Sequence, residues 1–116
     1  MDYEEDLFEK IIQGKVHANI VYEDDTIIAF DWINPVSPIH ILIIPKKKIS
    51  TVNDIQKEDI TLIGELFFVA KKIAKELNIY EKGYRLVFNI NSFGGQHIFH
   101  LHLHFLAGRK FSWPPG

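Results

Sequence analysis

Between positions 100 and 105 the chain reads His100-Leu101-His102-Leu103-His104-Phe105, and no other segment limits the fold as much. A period of two is the period of a β-strand, whose successive side chains point to opposite faces. A strand from Ile98 to Ala107 puts Phe99, Leu101, Leu103 and Phe105 on one face, which belongs under helices. His100, His102 and His104 share the other face, each about 6.6 Å from the next at a rise of about 3.3 Å per residue. One histidine on such a face is ordinarily a hydrogen-bonded core residue, but three in a row offer little as packing. The strand therefore carries a core on one side and a chemical site on the other.

The other segments supply the rest of the sheet and its cover. Asp2 to Gln13 reads as a short helix with Leu7, Phe8, Ile11 and Ile12 in one stripe, capping-box spacing at Asp2 and Glu5, and Gly14 as its stop. Asn19–Tyr22 and Thr26–Phe30 form a hairpin around Glu23-Asp24-Asp25. Asn34-Pro35-Val36-Ser37-Pro38 is turn chemistry. His40 to Ile44 is a nearly all-apolar strand stopped by Pro45, of the kind covered on both faces. Asn53 and Gln56 have capping-box spacing, and one long helix, broken near its start, follows to Leu77. Ile60, Ile63, Phe67, Ala70, Ala74 and Leu77 line one of its faces, and Leu62, Leu66, Val69 and Ile73 widen it, enough to cover a sheet and meet a partner chain. Tyr84–Asn91 completes the strands, with Ser92-Phe93-Gly94-Gly95 as the turn before the histidine strand. Five strands in meander-like order with two helices indicate an α+β fold with an antiparallel sheet, in one domain over residues 1–116.

Composition removes whole classes of function. A net charge of −2 argues against a protein that tracks a nucleic-acid backbone. The absence of cysteine excludes disulfides and thiolate metal sites. The first residues are acidic, without the apolar core of a signal, and no apolar run approaches the ~20 residues that span a bilayer. The expectation is a cytoplasmic enzyme with no membrane and no nucleic-acid partner.

Imidazole suits phosphorus chemistry. Its unperturbed pKa of ~6.5 leaves the neutral nucleophile abundant at pH 7. It can add to phosphorus and later leave, and neighbouring imidazoles can hold its tautomer or stabilise phosphoryl charge. Gly94 and Gly95 allow backbone N–H groups to approach an anion just before the histidines, or simply make a hairpin turn. The competing chemistry is a metal site. Three histidines spread over ~13 Å of strand cannot share one ion, but two of them with His40 could.

The segment His100-Leu101-His102-Leu103-His104-Phe105-Leu106 resembles the signature of the histidine triad superfamily, His-φ-His-φ-His-φ-φ with φ apolar. The resemblance extends through Tyr22-Glu23-Asp24-Asp25, Asn34-Pro35, His40 and Ile44-Pro45-Lys46-Lys47. Gly94-Gly95-Gln96, Gly108-Arg109 and the closing Trp113-Pro114-Pro115-Gly116 are similar to its purine nucleoside phosphoramidase branch. The resemblance implies a homodimer with a sheet continuous across two subunits. It implies that His102 is the nucleophile, that His104 contacts the α-phosphate, that His100 helps set a neighbour's tautomer, and that His40 is a further active-site histidine. It implies an apolar purine pocket at Leu7, Phe8, Ile11, Phe30 and Ile33, nucleotide contacts from Asn89, Gly95, Gln96, His97 and Ile98, and Trp113 near the partner's site.

Two positions depart from the family pattern. Phe-x-Asp-φ-x-Pro, whose Asp holds ribose hydroxyls, reads here Phe30-Asp31-Trp32-Ile33-Asn34-Pro35. Trp32 takes the Asp slot, and Asp31, one residue early, falls on the opposite face unless the backbone bulges. His97 stands where the branch often has a hydroxyl or carboxyl side chain. It either protonates a departing amine or occupies a variable site. The expected reaction is hydrolysis of purine nucleoside phosphoramidates and related adenylated compounds through a nucleotidyl-histidine, with no metal or cofactor. The alternatives are a nucleotide-binding regulatory module with weak catalysis and a dinucleoside polyphosphate hydrolase.

Overall fold

The computed structural model describes residues 5–116. The expected helix start at Asp2, with its pairing to Glu5, lies outside them. The first helix, α1 (Leu7–Ile12), buries Phe8 and Ile11. The Gly14 N–H donates to the Ile11 carbonyl beyond its end. Strands β1 (Ile20–Glu23) and β2 (Ile27–Asp31) form the hairpin. Its turn is organised by Asp24, whose Oδ1 accepts from the Thr26 and Ile27 N–H groups, both at 2.8 Å. Strand β3 (Ile39–Pro45) is buried along nearly its whole length, as its unbroken apolar run requires.

After β3 the chain makes two 3₁₀ turns, Val52–Asp54 and Lys57–Asp59, before the long helix α2 (Ile60–Glu76). The expected break near the helix start is present, but the capping pairs are Thr51 with Asp54 and Gln56 with Asp59, not Asn53 with Gln56. Two carboxylates thus take the exposed N–H groups of two short turns. On α2 the buried residues are Leu66, Val69, Ala70, Ile73 and Ala74, while Ile60, Phe67 and Leu77 are exposed. The face meeting the sheet is rotated from the expected one. Both stripes have helical spacing, and both contain Ala70 and Ala74, whose small side chains let the helix approach the sheet.

Strand β4 (Arg85–Val87), a one-turn helix α3 (Asn91–Gly94) and strand β5 (Leu103–Ala107) complete the chain. The sheet order is β1-β2-β3-β5-β4 with antiparallel neighbours throughout, so the expected meander is interrupted. The buried β5 enters beside β3, and the short, half-buried β4 takes the edge.

β5 begins at Leu103, five residues after the expected Ile98. The register with β3 pairs Ile43 with Leu103 and Leu42 with His104. Continued by one step of two, it would set Leu101 against Pro45, which has no N–H to donate, and the ladder stops. Leu101 donates instead to the Ile49 carbonyl at 2.6 Å. His100 and His102 therefore precede the strand, on a segment anchored by single hydrogen bonds.

The two faces of the sheet remain segregated. Ile41, Ile43, Leu101, Leu103 and Phe105 pack with the buried side of α2. Phe99 is only half-buried and stays out of that core. On the other face Ile28, Phe30, Leu42, Ile44 and Ile98 pack with Phe8 and Ile11 of α1. The histidines sit at the end of this second layer.

Candidate active site

The alternation of β5 puts His104 on the α1 face, directly across from Leu42 of β3 and Val87 of β4. The diagonal neighbour on β3 is His40, and the two rings meet, His40 Nε2 lying 2.9 Å from His104 Nδ1. Beyond β4, Asn89 brings its amide nitrogen within 3.5 Å of His104 Nε2. Strand register alone thus collects three of the expected site residues. His102 stands one step further along the face, its ring centroid 5.0 Å from that of His104 and 5.1 Å from Phe8.

The hydrogen bonds fix the tautomers, because carbonyl oxygens only accept and backbone N–H groups only donate. His102 Nδ1 lies 2.7 Å from the His100 carbonyl, so Nδ1 carries the proton and Nε2 keeps its lone pair. His100 Nε2 lies 2.7 Å from the Pro45 carbonyl, so it too donates. The Val36 N–H donates to His40 Nδ1 at 3.1 Å, which leaves the proton on His40 Nε2. That proton goes to His104 Nδ1, and His104 in turn holds its own proton on Nε2. Asn89 then serves this N–H best with its amide oxygen turned toward the ring. Side by side, His102 presents a bare nitrogen and His104 presents an N–H.

Burial keeps the rings neutral. His104 is pushed down to about 3, first by desolvation and then by His102 and His40 beside it. Desolvation also lowers His102, opposed by its bond to the His100 carbonyl. His40 is lowered by desolvation and by His102, and His100 chiefly by desolvation. A neutral imidazole with a free Nε2 is the form that attacks phosphorus.

His102 and His104 line a cavity of about 250 Å³ together with Phe8, His40, His97 and Asn89. Gly95, Ile98 and Trp32 also face it, as do Asn34, Val36 and Leu42, which the sequence reading passed over. Of these only Leu42 carries a sequence signal, two positions from His40 on one face of a strand. Larger hollows of about 630 and 520 Å³ lie elsewhere, lined by Lys47 and Asp59 in one and by Lys82 and Arg109 in the other. Neither contains a histidine; a third, of about 440 Å³, is lined by His40 with Asp31 and Trp32 but by neither His102 nor His104, and size does not make a site.

Three other parts of the expected site are held as follows. His100 does not face the cavity. Its ring is buried, with Nδ1 unpartnered, and it sets the tautomer of His102 through its backbone carbonyl. Gln96 is buried behind the cavity. Its amide donates to the Ser50 and Ile98 carbonyls and accepts from the Asn91 N–H, so it clamps the loop. The glycine pair is not an open anion cradle either. The Gly95 and Gln96 N–H groups donate to Ser92 and Asn91, and Gly95, at φ +83°, ends α3 in the left-handed conformation.

The apolar pocket is partly assembled. Leu7, Ile11, Phe30 and Ile33 line a hollow of about 40 Å³ with Asp31, Trp32, Val16, His17 and Ala18 at its walls. Phe8 faces the histidine cavity instead. Trp113 is 83% exposed and lines none of these hollows. Among the described residues no group of three His, Asp or Glu side chains is arranged to hold a metal ion.

A pair of neutral imidazoles, His102 just before β5 and His104 on it, one with a bare nitrogen and one donating, sits over a small cavity and suits chemistry at phosphorus. The HIT domain family matches residues 13–111, and the chain belongs to that family. A purine nucleoside phosphoramidase of Escherichia coli K12 is 48% identical over 106 residues, 91% of this chain and 89% of that protein. A HIT family hydrolase from Legionella pneumophila superposes with a TM-score of 0.93 at 52% identity, covering 95% of this chain and 98% of that one. A histidine triad nucleotide-binding protein from Candida albicans superposes with a TM-score of 0.79 at 27% identity, covering 93% of this chain and 82% of that one.

Proposed function

We propose that this chain hydrolyses purine nucleoside phosphoramidates and related adenylated compounds. The observation that carries the proposal is the 2.7 Å bond from His102 Nδ1 to the His100 carbonyl, which leaves the lone pair on Nε2 of a ring lining the cavity. In the first step His102 Nε2 forms a bond to the α-phosphorus as the P–N bond breaks. The amine takes a proton and departs. In the second step water attacks the same phosphorus, gives its proton to solvent, and releases a nucleoside monophosphate and free His102. Charge on the phosphoryl oxygens meets the Nε2–H of His104, which exchanges the distant Asn89 amide for the substrate and is held in its tautomer by His40. We assign the backbone N–H groups of His97 and Ile98, which also line the cavity, to the same charge, and the exposed His97 ring as proton donor to the amine.

The base is assigned to the apolar hollow of Leu7, Ile11, Phe30 and Ile33. At about 40 Å³ it is close to one water's share of liquid volume, ~30 Å³, so the exposed Ile33 side chain must move to seat a purine. We assign the working form as a cytoplasmic homodimer. Trp113, exposed in the single chain, then packs near the partner's site. No helix among the described residues is long and apolar enough to cross a membrane.

The test is rapid quench with adenosine 5′-phosphoramidate labelled at the α-phosphorus. Protein-bound label should rise and decay on the turnover timescale in the wild type. Turnover without any trapped label, or label persisting in His102→Ala, refutes the covalent route. The pH–rate profile of His97→Ala tests the proton donor, since an unchanged limb for protonation of the leaving group removes that role.

A further inference from the structure

The proposed reaction seats a base in the small apolar hollow and a phosphorus beside His102, so the sugar must pass between the two. One residue lines both hollows, and it is Trp32. Its backbone N–H is pinned to the His40 carbonyl at 2.9 Å. Its indole is half-buried and packs edge-on against Phe8, with ring centroids 6.0 Å apart. It is a fixed wall at the junction.

The chemistry around that junction is unusual for sugar recognition. Among the described residues the polar side chains lining the histidine cavity are His40, His97, His102, His104, Asn34 and Asn89, with no carboxylate. The neighbouring carboxylate, Asp31, at the end of β2, borders the smaller hollow beside Trp32 but not the histidine cavity; it is exposed, and its Oδ2 accepts from the Asn19 amide. The side chain shared by the two hollows is therefore an indole, which offers a sugar hydroxyl no acceptor oxygen. A site rejects an analogue that lacks a hydroxyl only when its own buried polar groups are thereby left unpaired. Trp32 has no acceptor to strand, and Asp31 beside it is exposed and keeps water as a partner.

We propose that Trp32 is a specificity-determining residue that makes the site indifferent to the sugar 2′-hydroxyl, so that 2′-deoxyribonucleoside phosphoramidates are substrates alongside ribonucleoside ones. The inference rests on the reaction proposed above.

The experiment compares kcat/KM for adenosine and 2′-deoxyadenosine 5′-phosphoramidates, and in parallel the affinities for AMP and dAMP. In the wild type the ribo-to-deoxy ratio should lie within about threefold in both measurements, and Trp32→Leu should keep it there. Trp32→Asp, which returns a charged acceptor to the wall, should raise the ratio above about tenfold. Trp32→Asn supplies a neutral acceptor if the Asp variant fails to fold, and should raise it severalfold. A wild-type ratio above about thirtyfold, or a high ratio that collapses in Asp31→Asn, overturns the inference and leaves the reaction standing. Equal affinities without turnover of either phosphoramidate remove the reaction and keep the role of Trp32. Failure of both nucleotides to bind overturns both.

Discussion

Leu103 and His104 are consecutive residues of β5, yet they belong to two different molecules in physical terms. Leu103 is buried among Ile41, Ile43 and the inner side of α2. His104 points the other way, into a network of imidazoles and one amide at the edge of a cavity. The first face is held by close packing, which tolerates almost any apolar group of the right volume. The second is held by hydrogen bonds whose direction fixes proton positions. The lesson is a division of labour at the spacing of one peptide unit: stability is vested in the odd positions and chemistry in the even ones.

That division is broken most sharply by paired alanine substitutions. His102→Ala should lower kcat/KM by about 10⁴-fold or more, the scale for loss of a covalent nucleophile, with a small change in thermal midpoint. Leu103→Ala should cost about 2–5 kcal/mol of stability and leave turnover per folded molecule nearly intact. Steady-state kinetics and urea titration on both variants check the pair. If His102→Ala were the more destabilised and Leu103→Ala the more inactive, the two faces would not be separable.

His104→Asn probes a different part of the same face. It removes the Nε2–H directed at the phosphoryl oxygens but leaves His102 Nδ1 bonded to the His100 carbonyl. Loss of one such donor lowers kcat by about 10²–10³-fold, and the covalent adduct should still form slowly. Absence of any adduct would make His104 part of the nucleophile's own activation.

Much of this was legible in the sequence, for a physical reason. A period of two in residue type can only be read as two faces, and the apolar run at β3 can only be a strand with neighbours on both sides. Those two features locate His40, His102 and His104. The early end of β5 was hidden, because it depends on which residue of β3 lies opposite Leu101, and that is a tertiary fact. The working face of α2 was hidden because Phe67 and Leu66 belong to stripes of equal hydrophobic content. The family resemblance gives His100 a part in its neighbour's tautomer, but the route was not legible: its carbonyl acts on His102, and every residue has a carbonyl. Gln96 was misplaced because an amide beside a glycine pair reads equally as a ligand contact or as a loop clamp, and only the positions of Ser50 and Asn91 decide.

The histidine face should also respond to pH where the leucine face does not. A buried histidine with a lowered pKa binds its proton more weakly in the folded than in the unfolded chain. Between its folded pKa and the ordinary value of 6.5 the unfolded state therefore holds more protons, and stability rises with pH. For His104 this stabilisation is complete above 6.5 and is lost progressively as pH falls toward about 3. His40, His100 and His102 contribute in the same direction. Thermal midpoints should fall steadily across this window, and His104→Asn should shallow the slope. For the same reason the acid limb of kcat/KM should lie below the ordinary imidazole pKa. A slope unaltered in the variant would mean that other groups set the acid stability.

The smallest effect tests how the histidine segment is delivered to its face. Gly94 and Gly95 are adjacent, but they do different things. A Cβ on Gly94 would meet the nearest Asn89 backbone atom at 3.5 Å, an ordinary contact, and Gly94 is still helical. A Cβ on Gly95 would meet nothing within 4 Å, yet its φ of +83° is costly for any L side chain. Gly94→Ala should therefore change stability by less than about 0.5 kcal/mol, the range of a substitution that disturbs no special feature. Gly95→Ala should cost about 1–2 kcal/mol through backbone strain alone. Part of that strain can be relieved by moving His97 and Ile98, which follow after Gln96. The Gly95 variant should then lose severalfold in kcat as well, although no side chain at the site has been changed. Equal stability of the two variants would show that the left-handed turn at Gly95 is not what aims the segment.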